Sequence, residues 1–301
     1  MLLGPLAGIK MGWPDAYEAR ARQPIDRPQS AQRGMLPLGE LLSMRDGVVV
    51  PEAVLCVPGP WAERSDLTKS LVQSTSGHIF AGMLLMDMET RVSCELQLEG
   101  RDERMLAAFK AAGPHWSQTE EMMRIGEHRS VIYLVGHGGS QTNFAPLMHA
   151  ARALLDAGGF GVKVESAGLA HQPNEWRRLC NELYLFSAHE ACVVYVSAAD
   201  VCSCGMHNLG LKDAVVATGD AEDAVELLRT FTRYVFAEQA EIRPGQTFSV
   251  ASDAPVYRVV DDAGPRYEDS SLFNNPYGFW RLVPATETGR VSKRRAWWRL
   301  R

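Results

Sequence analysis

Three residues of this chain have a spacing that suits metal coordination. Cys202, Cys204 and His207 form the pattern Cys-x-Cys-x-x-His, and structural zinc sites are built from thiolate and imidazole ligands. A fourth ligand would have to come from elsewhere in the chain, with Cys192, His189 and His171 as the candidates, and the second paired motif that is typical of such sites is missing. Because cysteine is also a common small buried side chain, we predict that these residues hold no metal and that the protein uses no cofactor.

A glycine-rich loop is the second candidate for chemistry. It consists of Gly136, His137, Gly138, Gly139 and Ser140, and it lies between an apolar segment and an amphipathic one. Backbone N–H groups at the start of a helix can bind a phosphate or a carboxylate. The loop fits neither the dinucleotide-binding motif nor the P-loop, and a tight turn that needs glycine for backbone room explains the same residues. The sequence therefore leaves two interpretations of the loop, an anion-binding site and a structural turn.

Three polar residues follow predicted strands, at positions where binding sites often form. They are Glu165, His171 and, again, His207. Lys163 and Glu165 alternate along their strand, so both side chains are expected on one face. With the glycine-rich loop, these residues make a candidate site for a small ligand or a substrate. The competing interpretation is a solvated sheet face with histidines at its turns.

A serine hydrolase is a weaker hypothesis for the same region. Residues 164–168 resemble a nucleophile elbow around Ser166, but Val164 stands where the elbow needs glycine. Asp200 and His207 follow in a suitable order, yet the strand order of α/β-hydrolases is absent. We do not favour this hypothesis.

Composition and charge limit the classes of protein to which the chain can belong. Of its 301 residues, 46% are hydrophobic and 22% are charged, as in an ordinary globular protein. Net charge is −5, and residues 290–301 carry six basic residues and no acid, so the remainder has 25 − 36 = −11. An acidic body does not attract nucleic acid in general, which leaves only the tail, Lys293 to Arg301, as a nucleic-acid contact. No apolar run reaches the roughly 18 residues of a membrane helix.

Six cysteines in a chain of this length do not indicate a disulfide scaffold. The first residues carry no basic group before their short apolar run and make a poor signal peptide. These features predict a cytoplasmic protein with reduced thiols.

The periodicity of apolar residues predicts an α+β fold with one or more mixed sheets and packed helices, arranged as two similar halves with strand–helix–strand units. Helices are expected near residues 64–73, 105–112, 120–129, 144–155, 174–183 and 223–235. Strands are expected at 54–57, 79–86, 92–98, 131–135, 161–166, 191–197, 247–250 and 256–260, with one more inside 202–216. The strands on either side of the helix at 144–155 should be parallel.

The domain organisation predicted from these elements has three parts. Residues 1–45 form a flexible leader, residues 46–285 form a single domain whose halves meet near 175, and residues 286–301 form a basic tail that contains tryptophan.

Five segments of the chain are similar to a bacterial family, domain of unknown function 4261 (DUF4261). They are LCVPGPW (55–61), GVKVESAGLAH (161–171), CSCGMHNLGLKDA (202–214), PGQTFSV (244–250) and NPYGFWRL (275–282). The resemblance covers about residues 54–282. It implies a bacterial cytosolic α+β protein and supplies no activity. Relatives that occur among polymorphic-toxin and secretion genes suggest an immunity or accessory role.

Two functional hypotheses follow from these observations. The first is a non-enzymatic protein that binds another protein, such as a cognate toxin, as an immunity or accessory factor of a toxin or secretion system of the type VI kind. An acidic surface suits a basic partner. The alternative is an enzyme or anion-binding protein that uses the loop from Gly136 to Ser140 with Glu165, His171 and His207.

The absence of a metal is directly testable. A structural zinc would contribute on the order of 10 kcal/mol of folding free energy in small zinc domains, which a chain with this many amphipathic elements does not need. We expect elemental analysis of the purified protein to find no stoichiometric metal, and a chelator to leave the melting temperature unchanged. About one zinc per chain, lost in Cys204→Ser, would contradict this prediction.

Overall fold

The computed structural model describes residues 50–180, 184–265, 267–268 and 271–285. The predicted leader, residues 1–45, and the predicted tail, residues 286–301, lie outside this part of the chain. The single domain with halves meeting near 175 stays a prediction.

The first sheet contains the seven strands of the N-terminal half of the described chain. They are β1 (Glu52–Gly59), β2 (His78–Ala81), β3 (Leu84–Asp87), β4 (Ser93–Gly100), β5 (Ser130–His137), β6 (Val162–Val164) and β7 (Leu169–His171), in the order β2-β3-β4-β5-β1-β6-β7. Neighbouring strands are antiparallel. Because β5 and β6 are both antiparallel to β1, which lies between them, they are parallel to each other, as predicted.

The second sheet is mixed. Its strands are β8 (Val194–Ser197), β9 (Asp200–Cys204), β10 (Asp213–Ala217), β11 (Thr247–Phe248), β12 (Tyr257–Asp262) and β13 (Phe279–Pro284), in the order β11-β12-β13-β10-β9-β8. β10 and β13 are parallel, and the other neighbours are antiparallel. Two sheets of this kind with packed helices confirm the predicted α+β class.

Seven α-helices accompany the sheets within the described residues. They are α1 (Arg64–Gln73), α2 (Met105–Ala112), α3 (Glu120–Arg124), α4 (Gln141–Asp156), α5 (Pro173–Leu179), α6 (Ser187–Cys192) and α7 (Ala224–Ala237). Short 3-10 turns occupy Pro114–Trp116, Ile125–Glu127 and Met206–Leu209. None of the described helices is long and apolar enough to cross a membrane.

The central strands of the first sheet are buried on both faces. On one face, Leu55 and Leu134 pack in the core that includes Phe144, Leu147 and Leu154 of α4. On the opposite face, Cys56 of β1 and Val131 of β5 pack against buried residues of α2, α3 and the neighbouring 3-10 turns, which include Phe109, Trp116 and Met122. Burial on both sides explains why β1 and β5 are nearly continuous apolar runs.

The second sheet has its own core beneath α7. Leu228, Phe231 and Val235 of the helix pack with Val216 and Leu282 of the sheet. The Asp223 side chain accepts a hydrogen bond from the Glu226 N–H at 2.9 Å and caps the helix, as the sequence predicts.

Several predicted elements differ from those in the structure. The single strand over residues 79–86 is wrong, because Gly82, with φ +63°, and Met83 form a two-residue loop between β2 and β3. The strand predicted at 191–197 begins only at Val194, since Ala191 and Cys192 end α6. Both belong to apolar runs, in which periodicity alone does not place the end of an element. The region 202–216 contains two strands rather than one, and β7 and β13 were not predicted as strands.

A glycine contact joins the two sheets. The Gly139 N–H donates to the His207 carbonyl at 3.2 Å, so the loop after β5 touches the turn between β9 and β10. Gly210 closes that turn with φ +79°, and a Cβ there would lie 2.2 Å from the Gly139 carbonyl oxygen. A Cβ on Gly138 would lie 3.3 Å from Asn208 Cα. The two segments approach this closely because both carry glycine.

This contact predicts a position-specific loss of stability. Gly210→Ala combines a left-handed backbone with a backbone clash, whereas Gly245→Ala is a matched control with φ +89° and nothing within 4 Å of the new Cβ. The control should lose about 1–3 kcal/mol from backbone strain, and Gly210→Ala should lose about 1–3 kcal/mol more from overpacking. Urea unfolding measures both free energies, and equal losses would contradict the contact.

Candidate functional site

A buried carboxylate organises the turn between β9 and β10. The Asp213 side chain is 1% exposed, and its Oδ1 accepts hydrogen bonds from Ser203 Oγ at 2.8 Å and the Met206 N–H at 3.2 Å. Its Oδ2 accepts from Asn275 Nδ2 at 2.7 Å. A buried charge is strongly destabilising unless donors of this kind surround it. Asp213 therefore holds three separate parts of the second sheet together.

His207 lies against this carboxylate. Its side chain is fully buried, and Nδ1 is 3.9 Å from Asp213 Oδ2. Neither ring nitrogen has a hydrogen-bond partner among the described residues. Solvent does not reach the imidazole, so its position does not suit direct contact with a substrate.

The turn between β9 and β10 also connects to the turn between β6 and β7, which carries the candidate serine. Ser166 is fully buried, and its Oγ donates to Asn208 Oδ1 at 2.8 Å. Asn208 Nδ2 in turn donates to the Gly205 carbonyl at 2.9 Å. Ser166 is thus a structural partner of the turn, with no geometry of an exposed nucleophile.

The glycine-rich loop directs two of its amides into the protein. The Gly138 N–H donates to the Pro51 carbonyl at 2.8 Å, and the Gly139 N–H donates to His207. Ser140 caps α4, because its Oγ accepts from the Asn143 N–H at 3.1 Å. These contacts agree with the structural-turn interpretation of the loop, and the anion site stays a prediction.

Glu165 forms a buried ion pair with Lys163. Lys163 Nζ is 2.5 Å from Glu165 Oε2, and the two side chains are 13% and 6% exposed. Burial alone would lower the pKa of Lys163, but the Glu165 carboxylate and Cys56 raise it. Burial, with a smaller contribution from Glu165, raises the pKa of the Cys56 thiol well above its ordinary value. The strand predicted at 161–166 ends at Val164, so Glu165 lies in the turn that follows β6 and not on the strand with Lys163. The two charges still neutralise each other, and the lysine stays charged.

His171 belongs to a different cluster from His207. Its Nε2 is 2.9 Å from the Ala191 carbonyl, and its Nδ1 is 3.5 Å from Glu175 Oε2. The same oxygen lies 3.6 Å from His115 Nε2. Burial alone would raise the pKa of Glu175, but the nearby imidazoles of His115 and His171 hold it below its ordinary value. Of the predicted site residues, the loop and His207 meet through their backbones. Glu165 pairs with Lys163, and His171 lies next to Glu175 and Ala191.

The cysteine pattern has no metal-binding geometry in the described residues. No group of three or more His, Cys, Asp or Glu residues there is arranged to hold a metal ion. Burial raises the pKa of Cys202 to about 12, with Asp213 and Asp200 adding to the effect. Burial likewise raises the pKa of Cys204 well above its ordinary value. Both buried thiols are therefore protonated at neutral pH.

An exposed apolar surface was not predicted as a functional feature. We call it the hairpin patch, and it consists of Ile79, Met83, Leu84, Met88 and Val92, which are between 36% and 56% exposed. Five of the twelve large apolar side chains that are exposed in the described chain fall within these fourteen residues. The sequence carries a signal for it. In the apolar run 79–86, alternate residues must face away from the core because side chains of a strand alternate.

The register shows how the hairpin patch arises. Ile79 pairs with Met86, and Ala81 pairs with Leu84, so these four side chains share the open face of the hairpin. The alternate residues, Phe80 and Leu85, belong to the buried core. Ile79 and Leu84 thus lie on the uncovered face of a hairpin whose other face is packed, and Met83, Met88 and Val92 lie in the loops before and after β3.

One family model matches the segment of the chain that contains the Asp213 network. Residues 202–281 match the model of the family described as Domain of unknown function (DUF4261), which confirms the resemblance to DUF4261 over this segment. Residues 54–201 of the predicted resemblance lie outside the match. Asp213 and the residues that donate to it, Ser203, Met206 and Asn275, all lie inside it. No curated protein and no solved structure matches the chain.

The Asp213 network predicts a large loss of stability when the carboxylate is changed. In Asp213→Asn, an amide N–H₂ would face a hydrogen-bond donor, because all three partners donate. We expect a loss of about 3–5 kcal/mol in the free energy of unfolding, as for a disrupted buried ionic group. The matched control is Asp261→Asn, a 58% exposed carboxylate paired with Lys212, which should cost less than about 1 kcal/mol. Similar losses in the two variants would refute the role of Asp213.

Proposed function

We propose that this protein acts by binding another protein through the hairpin patch. The observation that carries the proposal is the concentration of exposed large apolar side chains on one hairpin of an otherwise well-packed sheet. Contiguous exposed apolar surface marks interaction sites in folded proteins. β2 and β3 contain four residues each, about 13 Å at 3.3 Å per residue, so the patch is small enough for one partner surface to cover.

The charges around the patch favour a basic partner. Residues 78–100 contain four acids, Asp87, Glu89, Glu95 and Glu99, and one positively charged residue, Arg91. Opposite charges at the rim of an interface steer association and improve specificity. Binding should therefore weaken at high salt, since exposed charges are screened within about 10 Å at 0.1 M ionic strength.

The environment of the candidate catalytic residues supports binding over catalysis. His207 and Ser166 are fully buried, Glu165 is paired with Lys163, and two amides of the glycine-rich loop bind carbonyls of the protein itself. Each group satisfies a structural requirement of the chain. Titration with inorganic phosphate, followed by changes in the amide signals of Gly138 and Gly139, would test the anion-binding alternative.

We further propose that the protein is a cytoplasmic immunity or accessory factor of a bacterial toxin or secretion system, such as type VI. Its support is the DUF4261 resemblance and the acidic surroundings of the hairpin patch. A toxin or secretion gene adjacent to this one would favour the role, and a metabolic operon would count against it.

A charge placed in the patch tests the proposal. Leu84→Lys introduces a cation at a 45% exposed position, and the matched control Leu185→Lys does the same at a 59% exposed position outside the patch. Affinity purification from the native cells, quantified by mass spectrometry, should identify a basic protein enriched by the wild type and the control and lost from Leu84→Lys.

The purified partner should then bind Leu84→Lys at least about tenfold more weakly, or 1.4 kcal/mol, with an unchanged melting temperature of the variant. The proposal fails if no protein shows this dependence on Leu84, or if the partner binds both variants equally.

A further inference from the structure

The outer edge of the hairpin patch is an open strand edge. Among the described residues, β2 lies at the end of the first sheet and pairs with β3 only. The two-residue loop makes Ala81 and Leu84 a hydrogen-bonded pair, and pairs of this kind alternate along an antiparallel ladder. The Met88 N–H donates to the Gly77 carbonyl at 2.9 Å, which fixes the same alternation at the other end. The backbone N–H and C=O groups of His78 and Phe80 therefore point toward the free edge.

In the part of the chain that the structure describes, this edge lacks the features that usually block strand addition. Natural proteins protect edge strands with lysine, proline, a bulge or a covering segment. β2 has the sequence His-Ile-Phe-Ala, with neither lysine nor proline, and its register with β3 is uninterrupted. The edge is thus able to pair with a further strand.

The side chains beside the edge define what such a strand would contact. Ile79 and Ala81 are exposed on the open face, so apolar residues of an added strand would extend the hairpin patch there. Phe80 faces the core, with the Arg64 guanidinium 4.6 Å from its ring centre. Asp87 pairs with His78 across the ladder, and Glu89 follows in the turn after β3; these two acids near the edge favour cationic side chains in the guest segment.

We propose that an extended segment of the partner protein, with alternating apolar and basic residues, adds to β2 as an eighth strand of the first sheet. This inference rests on the proposed function and specifies how the partner is bound. Main-chain hydrogen bonds to His78 and Phe80 supply the pairing, and apolar side chains next to Ile79 and Ala81 supply the contact area. The acids of the hairpin select a basic segment.

The probe is a fluorescent, end-capped peptide of sequence Lys-Val-Lys-Val-Lys-Val, measured by anisotropy with the full-length protein. Two peptides serve as controls. One replaces each lysine with glutamate, and the other carries a methyl group on every backbone amide nitrogen. The basic peptide should bind at least tenfold more tightly than either, because one control reverses the charge and the other removes the pairing N–H groups.

A substitution at the edge separates strand addition from adhesion to the patch. His78→Pro removes an N–H that points to the free edge and leaves the ladder to β3 intact, whereas His78→Ala keeps that N–H. We expect His78→Pro to lose at least tenfold in peptide affinity and His78→Ala to bind like the wild type, with circular dichroism showing both folded.

The outcomes of these measurements are distinct. If the methylated peptide binds the wild-type protein as tightly as the unmethylated basic peptide does, strand addition is overturned. This result needs no variant of the protein. If His78→Pro is folded and binds normally while Leu84→Lys loses the natural partner, strand addition is likewise overturned but the proposed function stands. The inference is supported if His78→Pro loses peptide binding and the methylated peptide does not bind the wild type. This support does not depend on which natural partner is found.

Discussion

The desolvated charge of Asp213 is the constraint on which the second sheet and its junction depend. An ionised carboxylate in the interior must be surrounded by donors, and here they come from β9, from the turn that follows it, and from the segment before β13. Satisfying one carboxylate therefore fixes the relative positions of three chain segments separated by up to 72 residues, from Ser203 to Asn275. The part of the chain that matches DUF4261 contains this whole arrangement. Its buried polar groups therefore connect the strands of the second sheet that this segment supplies.

The junction between the sheets follows from the same constraint. Because Asp213 binds the Met206 N–H, the turn that carries His207, Asn208 and Gly210 has little freedom. It meets the first sheet through Ser166 and the glycine-rich loop. Residues that look catalytic in the sequence are thus concentrated where polar groups must be buried for structural reasons. The surface that we propose for a partner lies elsewhere, at the β2 edge of the first sheet.

Elements with a strong local pattern could be predicted from the sequence, whereas features set by distant pairing could not. The amphipathic stripe of α4, the alternation in β4 and the Asp223 cap of α7 each depend on residues within one element. The division of residues 79–86 into β2 and β3 depends on a single glycine in an apolar run, and the helical end at Cys192 depends on packing between sheets. Likewise, the sequence pattern of Cys202, Cys204 and His207 does not indicate which groups these side chains contact in the folded chain. Only the structure reveals that His207 faces Asp213 and that the thiols are buried.

The position of β1 has a consequence for the synthesis of the chain. It is first among the described strands in the sequence, but it lies between β5 and β6, and both of its edges are paired only with strands that begin at Ser130 and Val162. At about 5–20 residues per second, the ribosome needs on the order of ten seconds to supply the second of them. During that interval an apolar strand with two open edges is exposed to solvent. Nascent chains of this protein should therefore depend on chaperone protection until β6 has left the ribosomal tunnel, and a pause in translation before that point would lengthen the period of risk.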